Sequence, residues 1–180
     1  MCRPVAHELK NCLHDRWVRF HSLPGSKRYA DDEAEYAEIL RRHVTVLAGL
    51  LSGDGPGTDR ELLVVMASWS GSELVPDDEA PAGLPAADYW ASILTGGVPG
   101  EETRTYLRAA ALRFPGEELS RLLRLVADDV LAGMIITTAD MRWLYHPYDG
   151  GADVIAATPA ERDQLRSEHP EWLSAHPAGL

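Results

Sequence analysis

The spacing of apolar and polar residues predicts several short strands along the chain. In residues 16–22, apolar Val18 and Phe20 alternate with Arg19 and His21, which indicates a half-buried strand. The unbroken apolar run at residues 62–68 is rich in β-forming residues and indicates a central strand covered on both faces. A shorter apolar run at residues 134–137 predicts another buried strand.

Helical spacing predicts four helices, at residues 5–13, 31–51, 117–131 and 158–170. The longest opens with Asp31 and Asp32, whose carboxylates suit a helix N-terminus. Its apolar stripe is predicted to consist of Tyr36, Leu40, Val44, Leu47 and Leu51. In the last helix, Thr158 is expected to cap the first turn and Leu165 to point inward.

The segment from Gly71 to Thr103 breaks this pattern, because it holds seven acidic residues and no Lys or Arg. Its four prolines and five glycines predict a long, largely irregular surface insertion, with one helical turn at residues 88–91. Residues 105–114 fit either a helix or a strand. Their aromatic ends and the Pro-Gly pair that follows favour the strand.

A β-hairpin is predicted at residues 142–156, because the Asp-Gly pair at 149–150 is one of the strongest short turn signals. If these two residues form the loop, His146 lies directly opposite Asp153. If the loop is one residue further on, Asp153 faces Tyr148 instead. The sequence leaves both registers open.

Together these elements predict an α+β fold in a single domain spanning residues 1–180. We expect a mixed, mostly antiparallel β-sheet packed against two long helices, with a C-terminal hairpin followed by a helix. A length of 180 residues and an apolar share of 45% suit one domain with one core.

Composition and charge exclude several classes of function. The chain has 28 acidic and 17 basic side chains, for a net charge of −11, so nucleic acid is not expected as the main partner. Charged residues near the start oppose a signal peptide, and no apolar run approaches a membrane span, so we expect a cytoplasmic protein without membrane contact. Cofactor motifs and zinc-ligand spacings are missing, so we expect neither a cofactor nor a metal.

Cys12 falls at helical spacing with Leu9 and Leu13, which predicts a small buried side chain.

The first thirty residues are locally basic, with six basic side chains and two acidic ones. Arg19 and His21 share one face of the predicted strand, and Lys27 and Arg28 return toward it from the next turn. Such a cluster suits a phosphate or a carboxylate. The alternative, which we favour, is that these cations pair with the acidic helix start at residues 31–35 and with Glu8 and Asp15, because surface charges usually form weak pairs.

The hairpin supplies further candidate binding residues, namely Tyr145, His146, Tyr148, Asp149 and Asp153. An imidazole and a carboxylate opposite each other can act as an acid–base pair. The favoured alternative is structural, with Trp143, Tyr145 and Val154 in the core and the two aspartates shaping the turn.

Two stretches also carry a family resemblance. WVRFHSLPGSKRY at residues 17–29 and WLYHPYDGGADVI at residues 143–155, followed by a terminal WLSAHPAGL, resemble uncharacterised proteins common in actinobacteria. They are also similar to a broader bacterial family of unknown function, marked by a C-terminal hairpin with the motif tyrosine-aspartate-glycine-aspartate-valine. The resemblance covers roughly the first and last fifty residues. It implies a bacterial cytoplasmic protein and assigns no activity or site residue.

The missing catalytic motifs favour a non-enzymatic protein-binding module of the immunity or regulatory type. The residues expected to meet a basic protein partner are Glu73, Asp77, Asp78, Glu79 and Trp90. The competing hypothesis is a site for a small anion or a nucleotide, which could also hydrolyse its ligand. It requires the basic cluster and the hairpin to converge on one cleft. Pro147 has no amide proton, so its strand either lies at a sheet edge or lacks a hydrogen bond to the neighbouring strand at that residue. A third hypothesis is that an exposed edge at Pro147 forms a homodimer.

Overall fold

The structure is a computed structural model that describes residues 5–52, 60–70, 87–96 and 103–174. The helices are α1 (Leu9–Cys12), α2 (Glu33–Ser52), α3 (Glu117–Ala127) and α4 (Pro159–Glu168). The strands are β1 (Trp17–His21), β2 (Arg60–Ser70), β3 (Asp88–Gly96), β4 (Thr103–Phe114), β5 (Ile135–Thr137), β6 (Leu144–Tyr148) and β7 (Gly151–Ile155). In these ranges, no helix combines the length and apolar character needed to span a bilayer.

The seven strands of the described chain form one sheet in the order β1-β7-β6-β5-β2-β4-β3. Every pair of neighbouring strands runs antiparallel. The α+β class is therefore confirmed. The expectation of a mixed sheet is wrong, because the described strands form no parallel pair. The helices are less uniform than expected, because α2 has 20 residues, whereas α3 has 11 and α4 has 10.

Apolar side chains cover both faces of this sheet. On one face, Leu62 and Val64 of β2 join the main core with side chains from α2, α3 and α4. On the other face, Val65 and Ile155 pack with Leu9 of the N-terminal segment. Strand β2 is thus covered on both sides, as its unbroken apolar run predicts.

Strand β3 replaces the helical turn predicted at residues 88–91, which is wrong. Its residues pair with β4, for example Tyr89 with Arg108 and Ile93 with Thr105. The two strands are neighbours in sequence, with Gly96 paired to Thr103. The Tyr, Trp, Ile and Thr residues of β3 favour a strand, so the prediction gave too much weight to the proline and glycine content of the whole segment. The strand favoured for residues 105–114 is confirmed as part of β4. Of the segment expected to be irregular, the remaining residues, 71–86 and 97–102, lie outside the described chain.

The buried face of α2 differs from the predicted stripe. The buried residues are Ile39, Arg42, His43, Val46, Leu47, Leu50 and Leu51. Tyr36, Leu40 and Val44 are only partly buried. The prediction counted apolar residues alone, whereas Arg42 and His43 turn inward because they find polar partners there.

Two expectations about the surface are also wrong. Cys12 is exposed and disulfide-bonded, so it is not a small buried side chain. Pro147 is buried in β6, between β7 and β5, so the exposed strand edge of the homodimer hypothesis is not there. The second alternative, that Pro147 meets its neighbouring strand without a ladder bond, is confirmed. The pairing of β5 with β6 joins Ile136 to Tyr145, and Pro147 lies beyond this pair.

The hairpin of β6 and β7 has the register predicted for a loop at residues 149–150. His146 pairs with Asp153, and Tyr148 pairs with Gly151. Strand β7 also pairs with β1, which brings the first and last strands of the chain side by side. The crossing at Gly151 leaves no space for a side chain, because a Cβ there would lie 2.1 Å from the carbonyl oxygen of Phe20.

Replacing Gly151 by Ala is therefore expected to lower the free energy of unfolding by about 1–3 kcal/mol, because the added methyl forces β1 away from β7. Denaturation in urea measures the loss. The matched control is Gly96→Ala in β3, where a Cβ meets nothing within 4 Å. Equal losses in the two variants would contradict the close approach at Gly151.

Candidate functional site

Asp153 in β7 is the centre of a polar cluster on one face of the sheet. Its carboxylate accepts hydrogen bonds from Trp17 Nε1 at 2.9 Å and from Arg19 Nε and Nη2 at 2.8 and 2.9 Å. Antiparallel pairing places Arg19 directly opposite Asp153, with Trp17 two residues away on the same face. A bidentate ion pair and an indole therefore fix β1 to β7.

Two aromatic rings flank the Arg19 guanidinium. Its central carbon lies 5.6 Å from the centre of the Trp17 ring and 5.1 Å from that of Tyr148. Burial lowers the pKa of Arg19, but the hydrogen bond and charge of Asp153 outweigh burial and raise it overall. Burial raises the pKa of Tyr148 to about 12. At neutral pH, Arg19 is therefore a cation and Tyr148 a neutral phenol.

His146 lies opposite Asp153, as the predicted register requires. Its Nδ1 is 2.8 Å from the carbonyl oxygen of Met134, which can only accept, so Nδ1 carries the proton and donates it to this bond. The carboxylate of Asp153 instead accepts from Trp17 and Arg19. The register is confirmed, and the imidazole and the carboxylate use different partners.

A second contact joins the turn after β1 to the hairpin loop. Arg28 Nε donates to the buried carboxylate of Asp149. A hydrogen bond to Asp149 also raises the pKa of Tyr29. The two segments that the sequence singled out thus converge, through Arg19 on Asp153 and Arg28 on Asp149.

The predicted basic cluster is largely neutralised by carboxylates. Lys27 Nζ lies 2.7 Å from Asp31 and 2.5 Å from Glu35, which is the pairing with the helix start that we favoured. Partial burial, and then the charge of Arg19, lower the pKa of His21. Each Arg and Lys of the cluster therefore has a carboxylate partner, and little positive charge remains for an anion.

A cleft of about 230 Å³ opens beside the hairpin. The hairpin contributes His146, Tyr148 and Asp149 to its lining. Asp129, just beyond α3, and Trp69 of β2 line it as well. The indole of Trp69 is 50% exposed. Three of the binding residues predicted in the hairpin therefore border a cavity.

A buried polar network on the opposite face was missed by the sequence analysis. His43 Nδ1 lies 2.5 Å from the Tyr145 hydroxyl, and Nε2 lies 3.3 Å from Ser22 Oγ. Burial lowers the pKa of His43 to about 4, so its imidazole is neutral. The space beside it is about 10 Å³, enough for one water at most, so no substrate fits. The available signal was helical spacing, because His43 lies four residues from both Ile39 and Leu47.

The structure describes one of the predicted partner-interface residues, Trp90, whose side chain is 46% exposed in β3. The other residues, Glu73, Asp77, Asp78 and Glu79, lie outside the described chain. Within the residues that the structure describes, no group of three or more His, Cys, Asp or Glu side chains is placed to hold a metal ion.

Comparison with known proteins identifies the family. The chain belongs to the family described as Domain of unknown function (DUF3885), which it matches over residues 5–177. This match extends through the acidic middle of the chain, which the resemblance of the two ends had left out. No curated protein and no solved structure matches the chain. The function must therefore be argued from the geometry of the site.

Replacing Asp153 by Asn is expected to lower the free energy of unfolding by about 3–5 kcal/mol, because it leaves the guanidinium of Arg19 without its counter-ion. The matched control is Asp31→Asn, which removes a carboxylate that is 84% exposed, and its cost should stay below about 1 kcal/mol. Urea denaturation compares the two variants. A loss at Asp153 no larger than that at Asp31 would contradict the structural role of this ion pair.

Acidification is expected to destabilise the protein through His43. Its pKa is about 4 in the folded chain against an ordinary value of 6.5, so the unfolded chain binds the proton more tightly. The stability due to neutral His43 is complete above pH 6.5 and is lost as the pH falls toward 4, by up to about 3 kcal/mol. Urea denaturation across this range should show a flatter pH dependence for His43→Gln. The exposed control His14→Gln should keep the steeper dependence, and identical slopes in all three chains would contradict the assignment.

Proposed function

We propose that this member of the family is a non-enzymatic protein-binding module, of the immunity or regulatory type, whose partner is a basic protein. The observation that carries the proposal is the apolar surface at one end of the sheet. Strand β3 exposes Tyr89, Trp90 and Leu94 by 47%, 46% and 50%. Clustered, exposed large apolar side chains are typical of protein interaction sites.

The position of β3 suits a binding surface. It is the last strand in the sheet order, so its one neighbour among the described strands is β4. The register shifts between Tyr89 and Ala91, so that Trp90 lies at an irregularity in the ladder. Such bulges redirect side chains, and they are frequent at sheet edges. Trp and Tyr are also the residue types that most often contribute large binding energies at interfaces.

The distribution of charge supports a basic partner. Residues 71–103, which contain β3, carry seven acidic residues and no Lys or Arg. An acidic segment around apolar anchors accelerates and selects encounters with a positively charged surface. The rest of the chain adds to this effect, because its total net charge is −11.

The alternative, a small-anion or nucleotide site, has weaker support. Arg19, Lys27 and Arg28 each bind a carboxylate, which an incoming anion would have to displace. His146 and Asp153 also have separate hydrogen-bond partners. Arg19 and Arg28 stabilise the junction of β1 with the hairpin, and Lys27 stabilises the start of α2. We therefore adopt protein binding as the proposed function.

The test is affinity capture from a lysate of the organism that encodes the chain, with the full chain as bait and mass spectrometry as the readout. Exchanging Tyr89 and Trp90 for Ser should weaken capture of the same partner by about thirtyfold or more, because truncating aromatic anchors typically costs at least ~2 kcal/mol. The matched control is Met141→Gln, which removes an apolar side chain that is 48% exposed elsewhere on the surface.

The same experiment includes a charge arm. Neutralising the four acids at 73, 77, 78 and 79 should slow association and reduce its salt dependence. Neutralising the exposed residues Glu61, Glu118, Glu168 and Glu171 changes the net charge equally and serves as the control. Failure to recover a basic partner, or equal capture by wild type and the Tyr89/Trp90 variant, would overturn the proposal.

A further inference from the structure

The cleft beside the hairpin combines aromatic and acidic walls. Trp69 and Tyr148 supply the rings, and Asp129 and Asp149 supply the carboxylates. Its volume of about 230 Å³ lies below the ~300–1,000 Å³ of typical small-molecule pockets. A single side chain therefore suits this cleft better than a cofactor does.

The indole of Trp69 has a close neighbour on one side while half of its surface remains accessible. It packs against Gly133, where an added Cβ would lie 3.0 Å from Cη2 and 3.1 Å from Cζ2 of the ring. The φ angle of +71° at Gly133 also favours glycine. A ring held in this way loses little conformational entropy when a ligand stacks on its exposed part.

The carboxylates give the cleft a negative balance. Asp149 is buried and forms an ion pair with Arg28. Asp129 is exposed, and its backbone is held by a hydrogen bond of 3.0 Å from its amide to the carbonyl oxygen of Val126. Two carboxylates therefore lie beside one guanidinium, so the cleft attracts a further cation and repels an anion.

We propose that this cleft is the anchor site for one arginine side chain of the protein partner, with the guanidinium stacked on Trp69 and paired with Asp129. The proposal rests on the protein-binding function proposed above. Arginine suits both walls, because its planar guanidinium stacks on aromatic rings and pairs with carboxylates through two parallel hydrogen bonds. Lysine supplies the charge without the planar group.

The cleft lies two strands away from β3. Trp69 pairs with Thr105, which in turn pairs with Ile93 of β3, so Ile93 lies on the same face of the sheet as the cleft. Tyr89 and Leu94 lie on the opposite face, because their partners in β4 are three residues and one residue from Thr105. Neighbouring strands are ~4.8 Å apart, so a partner that wraps around the end strand β3 is about 10 Å from Trp69 and can place an arginine in the cleft.

The test is an NMR titration of the full, ¹⁵N-labelled chain with N-acetyl-arginine N-methylamide. We expect saturable shifts of the Trp69 indole N–H and the Gly133 amide. The citrulline analogue, which has nearly the same shape and no charge, should bind about tenfold more weakly. The lysine analogue should also bind more weakly, because it cannot stack or pair in the same way.

Variants of the acidic wall complete the test. Asp129→Asn should weaken arginine binding about threefold to tenfold, and it preserves the backbone because Asn tolerates the φ of 56° found there. The matched control is Asp163→Asn on α4, which replaces an aspartate that is 65% exposed and should leave binding unchanged. The proposal is overturned if arginine produces no shifts at Trp69, if citrulline or lysine binds as tightly, or if Asp129→Asn has no effect.

The outcome is separable from that of the proposed function, because the titration uses no partner. Capture that depends on Tyr89 and Trp90, combined with failure of the arginine probe, would contradict the anchor site alone. Binding of the probe at Trp69, combined with failure to capture any partner, would contradict the protein-binding function and leave the cation site supported.

Discussion

The ion pair between Arg19 and Asp153 is the contact on which both the fold and the site depend. It joins the first strand to the last, across 134 residues of sequence. A slip of one residue would turn Arg19 to the opposite face and leave Asp153 without its partner, so the pair specifies the register of β1 on β7. With β1 in this register, the turn that follows it carries Arg28 to Asp149, a residue that lines the cleft.

The internal ion pairs of the basic segment determine which charges remain on the surface for other molecules. The positive charges of Arg19, Lys27 and Arg28 are balanced by the hairpin and by the start of α2. The acidic charge of residues 71–103 has no basic residue within its own segment to balance it. These three cations therefore serve internal contacts and leave little positive charge for an anionic ligand, which is why we propose a basic partner instead.

Local signals were sufficient for the elements that local chemistry controls. The Asp-Gly pair predicted the hairpin and left two registers open, of which the structure has the one with the loop at residues 149–150. Thr158 caps α4 by accepting from the amide of Glu161 at 3.1 Å. Long-range contacts were not predictable in the same way. His43 turns inward because its partners, 21 and 102 residues away in sequence, satisfy both ring nitrogens. Strand β3 was missed for a different reason. Its own Tyr, Trp, Ile and Thr residues favour a strand, but the proline- and glycine-rich segment around it indicated irregular structure.

The two ends of the sheet carry different kinds of interaction, and this difference bears on function. At the β1–β7 end, buried polar groups are tied by hydrogen bonds that would be costly to break, so this end is suited to rigidity. At the β3 end, large apolar side chains stay in water, where they contribute little to stability. Exposed aromatic residues on an end strand also carry a risk of aggregation. Neither folding nor solubility gains from this exposure, and this is the physical basis of the proposal that β3 binds another protein.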